Sequence, residues 1–218
     1  MHTETSQQLN MVNMPDMNNP EQYWINLGSE PIGLDVLADG ENARQADTYR
    51  TIARLVCDWN CHAVLDVGAN YGILQDWLER AGYDGEYQGI DSNPYAVAKA
   101  NQLGHRVEVG NIRTLDTPPA YDVVVVKDVI EHLENYQPLR NVFKAAKEFV
   151  ILSVYLPFHD APDSIQRNPD GYYTNTYNGY GVMDLARECG FALIETFSTH
   201  EANGTMNAIY LWGDNRAS

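Results

Sequence analysis

Two short runs of this chain hold the residue types that could bind a small ligand through its main chain and a carboxylate. The first, Val64-Leu65-Asp66-Val67-Gly68-Ala69-Asn70-Tyr71-Gly72-Ile73, ends an apolar stretch with two glycines four apart. Glycine lets the backbone turn sharply and lets a ligand approach it closely. A helix that starts just beyond offers unpaired N–H groups and the positive end of its dipole. The spacing Gly-x-x-x-Gly is not the Gly-x-Gly-x-x-Gly that cradles a dinucleotide pyrophosphate, and no Lys-Ser or Lys-Thr follows to make a phosphate loop. The second run ends in Asp91, 25 residues after Asp66. A carboxylate there can accept from both hydroxyls of a ribose, each charge-assisted bond being worth roughly 1.5–3 kcal/mol when well aligned.

Proton-handling candidates lie further on. His132 follows an apolar run, with Asp128 and Glu131 close by as alternatives, and His159 sits with Asp160 and Asp163 in a second polar stretch. An imidazole and two carboxylates can hold a divalent ion, but a polar loop without one is the simpler reading, and no metal is expected. Residues 171–181 carry four tyrosines, Tyr172, Tyr173, Tyr177 and Tyr180, mixed with Asn, Thr and Gly. Such a mixture gives rigid contact area with adaptable hydrogen bonding. It reads either as a wall for a polyol, sugar or aromatic group or as a loop packed on its own aromatics.

The elements that must position these residues alternate. A helix is predicted over residues 44–58, with Tyr49, Ile52, Ala53 and Val56 on one face. Strands are predicted at 63–67, 87–91, 106–109, 121–127 and 149–155. Helices are predicted at about 73–81, 94–103, 136–146 and 181–189, several of them closed by glycine. Two last strands, 192–197 and 206–212, have only a loop around Asn203-Gly204 between them and read as a hairpin. Continuous apolar strands alternating with helices imply a mostly parallel sheet covered on both faces. Ligands bind such sheets at the carboxyl ends of the strands, where both candidate runs end. Residues 1–43 form an N-terminal extension, partly flexible, whose second half carries Tyr23 and Trp24. Residues 44–218 form the domain.

Composition narrows the function classes. The 218 residues are 44 % hydrophobic and 20 % charged, which is ordinary for a globular chain. The net charge is −16, with 9 acids and 3 bases in residues 1–62 and 21 and 11 in the remainder. No basic stripe exists to displace counterions from a phosphate backbone, so neither nucleic acid nor an anionic membrane is an expected partner. Three cysteines, Cys57, Cys61 and Cys189, are too few and odd in number for a disulfide framework. The start, Met1-His2-Thr3-Glu4, does not read as a signal peptide, and no apolar stretch reaches bilayer length. A cytoplasmic location is expected.

Taken together and in order, three motifs resemble those of class I S-adenosylmethionine (SAM) dependent methyltransferases. They are the glycine loop at 65–72, Gly89-Ile90-Asp91-Ser92-Asn93-Pro94, and the run from Tyr121 to Glu131-His132-Leu133. The resemblance covers residues 63–212. It departs from the family pattern at Asn70, where a glycine is usual, and at Gly110-Asn111-Ile112, where Gly-Asp is common.

The resemblance implies an α/β, Rossmann-like fold: a seven-stranded, mostly parallel sheet with a C-terminal β-hairpin in three α/β/α layers. It implies SAM as cofactor, held by Asp66, Gly68, Ala69, Asn70, Tyr71, Gly72, Asp91, Ser92, Asn111, Ile112, Lys127 and Asp128. His132 and His159 become the candidate bases. Tyr23, Trp24, Tyr172 and Tyr177 would surround a small-molecule acceptor. The expected reaction is methylation of an oxygen or nitrogen on a small polar molecule of sugar, phenol or amine type. A catalytically inactive SAM-binding module is the main alternative. An NAD-linked oxidoreductase fits less well, because the dinucleotide fingerprint is missing and a terminal hairpin is present.

Overall fold

Residues 123–126 are four consecutive valines, and successive strand residues point to opposite faces of a sheet. A strand that is apolar at every position therefore needs cover on both sides. The computed structural model, which describes residues 45–169, 172–200, 204 and 206–215, has that arrangement. Val123 and Val125 pack into one core and Val124 and Val126 into the other. Their strand, β4 (Tyr121–Lys127), lies between β1 (Ala63–Val67) and β5 (Ala146–Val154), and all three run parallel.

The elements follow in the order α1 (Ala46–Asp58), β1, α2 (Ile73–Arg80), β2 (Glu86–Asp91), α3 (Pro94–Gln102), β3 (Val107–Val109) and β4. Then come a single 3₁₀ turn (Ile130–His132), α4 (Leu139–Ala145), β5, α5 (Gly179–Glu188), β6 (Phe191–His200) and β7 (Met206–Asp214). The sheet order is β3-β2-β1-β4-β5-β7-β6, with β7 antiparallel to both neighbours. The seven strands and the closing hairpin are those expected, and Gly204 in the connection has φ +83°. Helices α1 and α2 cover one face through Ile52, Val56, Leu74 and Leu78. Helices α4 and α5 cover the other through Leu139, Phe143, Val182 and Leu185. No helix among the described residues is long and apolar enough to cross a membrane.

Two boundaries depart from expectation for a local reason. The fourth helix begins at Leu139, not near Tyr136, because Pro138 sits as its N-cap and the chain before it is spent in the 3₁₀ turn and a bend. Strand β5 begins at Ala146 directly after α4, since Tyr121 pairs with Ala146 ahead of a bulge at Tyr121/Val123.

Phe143 anchors the α4 layer. It is fully buried, with Phe191 at 5.2 Å and Trp212 at 5.9 Å between ring centroids. Phe143→Ala is expected to cost about 3–5 kcal/mol, the range for deleting a buried aromatic ring, read from urea unfolding midpoints. A loss under about 1 kcal/mol would mean that this layer is not packed as described.

Candidate functional site

Strand order reverses direction about β1, whose two neighbours are β2 and β4. Crossovers leave in opposite senses there and open a crevice at the carboxyl ends. One cleft of about 180 Å³ lies at that point. Val67, Gly68 and Asn70 line it after β1, and Asp91 and Ser92 at the end of β2. Gly110, Asn111 and Ile112 follow from β3, and Asp128, Val129, His132 and Leu133 from β4. Eight of these residues were anticipated: Gly68, Asn70, Asp91, Ser92, Asn111, Ile112, Asp128 and His132. Sequence reasoning missed Gly110 and most of the apolar part, Val67, Val129 and Leu133, which reads as ordinary core from composition alone.

Asp91 organises the near wall. Its Oδ2 accepts from the Asn70 N–H at 2.8 Å and its Oδ1 from the Asn93 N–H at 2.8 Å. Burial pushes its carboxyl up from the ordinary range, and the two backbone bonds oppose that shift. Each carboxylate oxygen has two lone pairs, so acceptor capacity for a ribose remains. Asn93 in turn caps α3 by accepting from the N–H groups of Tyr95 and Ala96. Asn111 uses its Oδ1 on the Arg113 N–H in a local turn. Its amide N–H₂ and the second Oδ1 lone pair are not used in that turn.

Beyond β4 the backbone turns through Asp128, whose φ is +52°. The Asp128 carboxylate is gripped on three sides: by Lys127 Nζ at 2.8 Å, by Gln45 Nε2 at 3.3 Å and by Asn207 Nδ2 at 2.7 Å. Lys127 also donates to Gln45 and lies over the Tyr49 ring, 4.7 Å from its centroid. The lysine thus neutralises Asp128 and does not line the cleft.

His132 donates from Nδ1 to the Tyr173 carbonyl at 2.8 Å. A carbonyl only accepts, so the proton is on Nδ1 and Nε2 is the accepting nitrogen of the ring. Burial lowers its pKa, which keeps the ring neutral near pH 7. The rings of Tyr155 and Tyr172 stand 5.8 and 6.1 Å from it. Glu131 is buried beside it, with Oε1 accepting from the Tyr155 N–H at 2.9 Å and Oε2 without a hydrogen-bond partner among the described residues. Burial, reinforced by the charge of Asp128, pushes its carboxyl up to about 8.

Several expected site residues stand elsewhere. Asp66 points to the α1–α2 side of the sheet, where the Tyr87 hydroxyl donates to it at 2.9 Å and burial pushes its carboxyl up to about 7. Ala69, Tyr71 and Gly72 belong to the loop but not to the cleft wall. Tyr177 is core, not wall: it is 1 % exposed and its hydroxyl donates to the carbonyls of Ile130 and Leu133. Its neighbour Asn175, also missed, is fully buried and donates to the Leu133 carbonyl at 2.6 Å. The signal was an Asn and a Tyr two apart in a polar stretch, where an alternating pattern turns every second side chain inward. His159 lines a separate hollow with Phe158, Tyr180 and Met183, and its Nδ1 donates to the Ala161 carbonyl. Tyr23 and Trp24 lie outside the described residues.

A family model described as a methyltransferase domain matches residues 41–196. No curated protein matches the chain in sequence. Among solved structures, it is similar to 1,6-didemethyltoxoflavin-N1-methyltransferase of Burkholderia thailandensis, at 17 % identity with TM-score 0.64, over 90 % of this chain and 91 % of that one. It is similar to magnesium protoporphyrin IX methyltransferase of Synechocystis PCC 6803, at 19 % identity with TM-score 0.61, over 89 % and 90 %. It is also similar to a Haloferax volcanii methyltransferase solved with the Trm112 activator, at 13 % identity with TM-score 0.63, over 84 % and 94 %. At these identities the likeness is one of fold.

Glu131 makes stability depend on pH. The folded chain holds its proton up to about pH 8, while the unfolded chain releases it near the usual 4.5. The folded state then binds more protons between those limits, so stability falls as pH rises through that window. Glu131→Gln keeps the acceptor for Tyr155 and removes the titration. The variant should lose less thermal stability than the wild type between pH 5 and 8.5. Parallel melting curves across that range would show that Glu131 ionises normally.

Proposed function

Because the chain belongs to the methyltransferase-domain family, we propose that it moves a methyl group from SAM to an oxygen or nitrogen of a small polar acceptor. One observation carries the reading: Asp91 and His132 line a single cleft at the carboxyl edge of the sheet. The cofactor class is taken from neighbours crystallised with SAM or S-adenosylhomocysteine (SAH). The residues present suit that group. Asp91 retains lone pairs for ribose hydroxyls, Asn111 offers polar edges for a base, and Val67, Ile112 and Leu133 supply apolar walls for a ring. When bound, SAM supplies an electrophilic methyl on a sulfonium sulfur.

The work left to the protein is alignment, exclusion of water and proton removal. In this reading His132 takes the proton from the acceptor through Nε2, while Tyr173 holds the ring in the required tautomer. Tyr155 and Tyr172 flank it and favour an acceptor with a flat face, such as a phenol, over a flexible amine. Asp128 is not the base, since its carboxylate is occupied by Lys127, Gln45 and Asn207. Gln45 stands directly before α1 and bonds Asp128 in the cleft. The extension at 1–43, with Tyr23 and Trp24, precedes this residue in the sequence, and we assign it the role of covering the acceptor. The charge of −16 disfavours a polyanionic acceptor.

Asp91→Ala is expected to weaken SAH binding at least tenfold by calorimetry, about 1.4 kcal/mol. An unchanged dissociation constant would place the ribose elsewhere. His132→Gln should lower kcat by roughly 10²–10⁴, the usual worth of a general base, with SAH affinity held within threefold. These rates require a turnover screen of sugars, phenols and amines with labelled SAM. Tight SAH binding with no product from any acceptor class would favour the inactive binding module.

A further inference from the structure

The cofactor loop turns through three left-handed residues. Gly68, Asn70 and Gly72 have φ of +78°, +50° and +75°, and glycine and asparagine are the types that adopt that region most readily. Bonds from outside the loop hold this shape. On one side they come from β2: the Ile90 carbonyl accepts from the N–H groups of Gly68 and Ala69, and Asp91 accepts from that of Asn70.

The other side rests on His105, a residue to which the sequence patterns give no role. Its Nδ1 lies 2.5 Å from the Tyr71 carbonyl oxygen, and its Nε2 lies 3.0 Å from Asp76 Oδ1 on α2. The carbonyl can only accept, so Nδ1 donates. The ring is held in its own place from both flanks. The His105 N–H donates to the Ala100 carbonyl at the end of α3, and the next residue, Arg106, donates its N–H to Gln75 Oε1. The imidazole is buried and sits so close to the loop that a Cβ at Gly72 would lie 2.7 Å from His105 Cβ.

We propose that His105 is a positioning residue for the cofactor loop, gripping the Tyr71 carbonyl while Asp91 holds the Asn70 N–H, and transmitting its hold to Asp76. The inference rests on the reading of this loop as a cofactor site. Asp91 has to share its lone pairs between the loop and a ligand, whereas His105 does not line the cleft. It therefore keeps the loop in shape while Asp91 engages the ligand.

Two near-isosteres separate this role from simple packing. In asparagine the amide nitrogen falls where His Nδ1 stands, so His105→Asn keeps the donor to Tyr71 and loses Asp76. In glutamine the amide nitrogen falls where Nε2 stands, so His105→Gln keeps the reach to Asp76 and loses Tyr71. SAH affinity by calorimetry should stay within threefold of wild type in His105→Asn and fall at least tenfold in His105→Gln and His105→Ala. In turnover, KM for SAM should rise in the glutamine variant with kcat at saturation retained. A packing role predicts the reverse order, because glutamine fills more of the ring's volume. Equal losses in Asn and Gln, or glutamine the better of the two, would overturn the assignment even if the alanine variant fails to fold. A wild-type chain that binds no SAH would instead overturn the cofactor reading on which the assignment depends.

Discussion

The electrostatic problem at the carboxyl edge of the sheet is one of too many acids. Asp66, Asp91, Asp128 and Glu131 converge on it, and Lys127 is the ammonium that bears on Asp66, Asp128 and Glu131. In a medium of low dielectric, neighbouring carboxylates cannot all ionise cheaply. The chain settles the conflict by dividing states. Asp128 takes the ammonium, Glu131 and Asp66 are pushed toward their neutral forms, and Asp91 is braced by two backbone N–H groups. Each solution fixes a piece of backbone: the left-handed turn at Asp128, the 3₁₀ turn carrying His132, and the glycine loop. A cofactor bearing a sulfonium charge, as in the proposed reaction, enters a site whose remaining unbalanced charge is negative.

Much of this was legible in the sequence because it follows from period and punctuation. The valine run at 123–126 demands a central strand, glycines close the helices, and two apolar runs with only a short loop between them read as a hairpin. The cleft residues Gly68, Asp91 and Ser92 are readable because each ends a strand, and strand ends at a topological switch point face the same crevice. His132 and Asp128, named from the run that also carries the family resemblance, line the same cleft, and the domain match over residues 41–196 agrees with that resemblance.

The failures have a common physical origin: a residue's type was read without the side to which its backbone turns it. Asp66 belongs to the glycine motif, yet its place in the alternation of β1 puts it with Val64 on the α1–α2 side. Tyr177 looked like a contact surface because it lies among polar residues. Its hydroxyl instead meets the main-chain carbonyls of Ile130 and Leu133, which also accept from the Leu133 N–H and the Asn175 side chain. Lys127 looked like a ligand contact, but the salt bridge to Asp128 and the face of Tyr49 absorb it. His105 escaped notice because its partners, Tyr71 and Asp76, are 34 and 29 residues away and no local pattern joins them.

The tyrosine-rich segment is fastened to the 3₁₀ turn mostly through main-chain atoms of the turn. Tyr177 reaches the carbonyls of Ile130 and Leu133, Asn175 donates from its side chain to Leu133 and from its backbone to Glu131, and His132 contributes its side chain. A joint made of backbone carbonyls is indifferent to which side chains the turn carries. The segment, which the proposed reading turns toward the acceptor, is in this sense interchangeable hardware. Its half-buried positions, Tyr172 and Thr174 among them, could diverge to suit another substrate while Asn175 and Tyr177 keep the fastening.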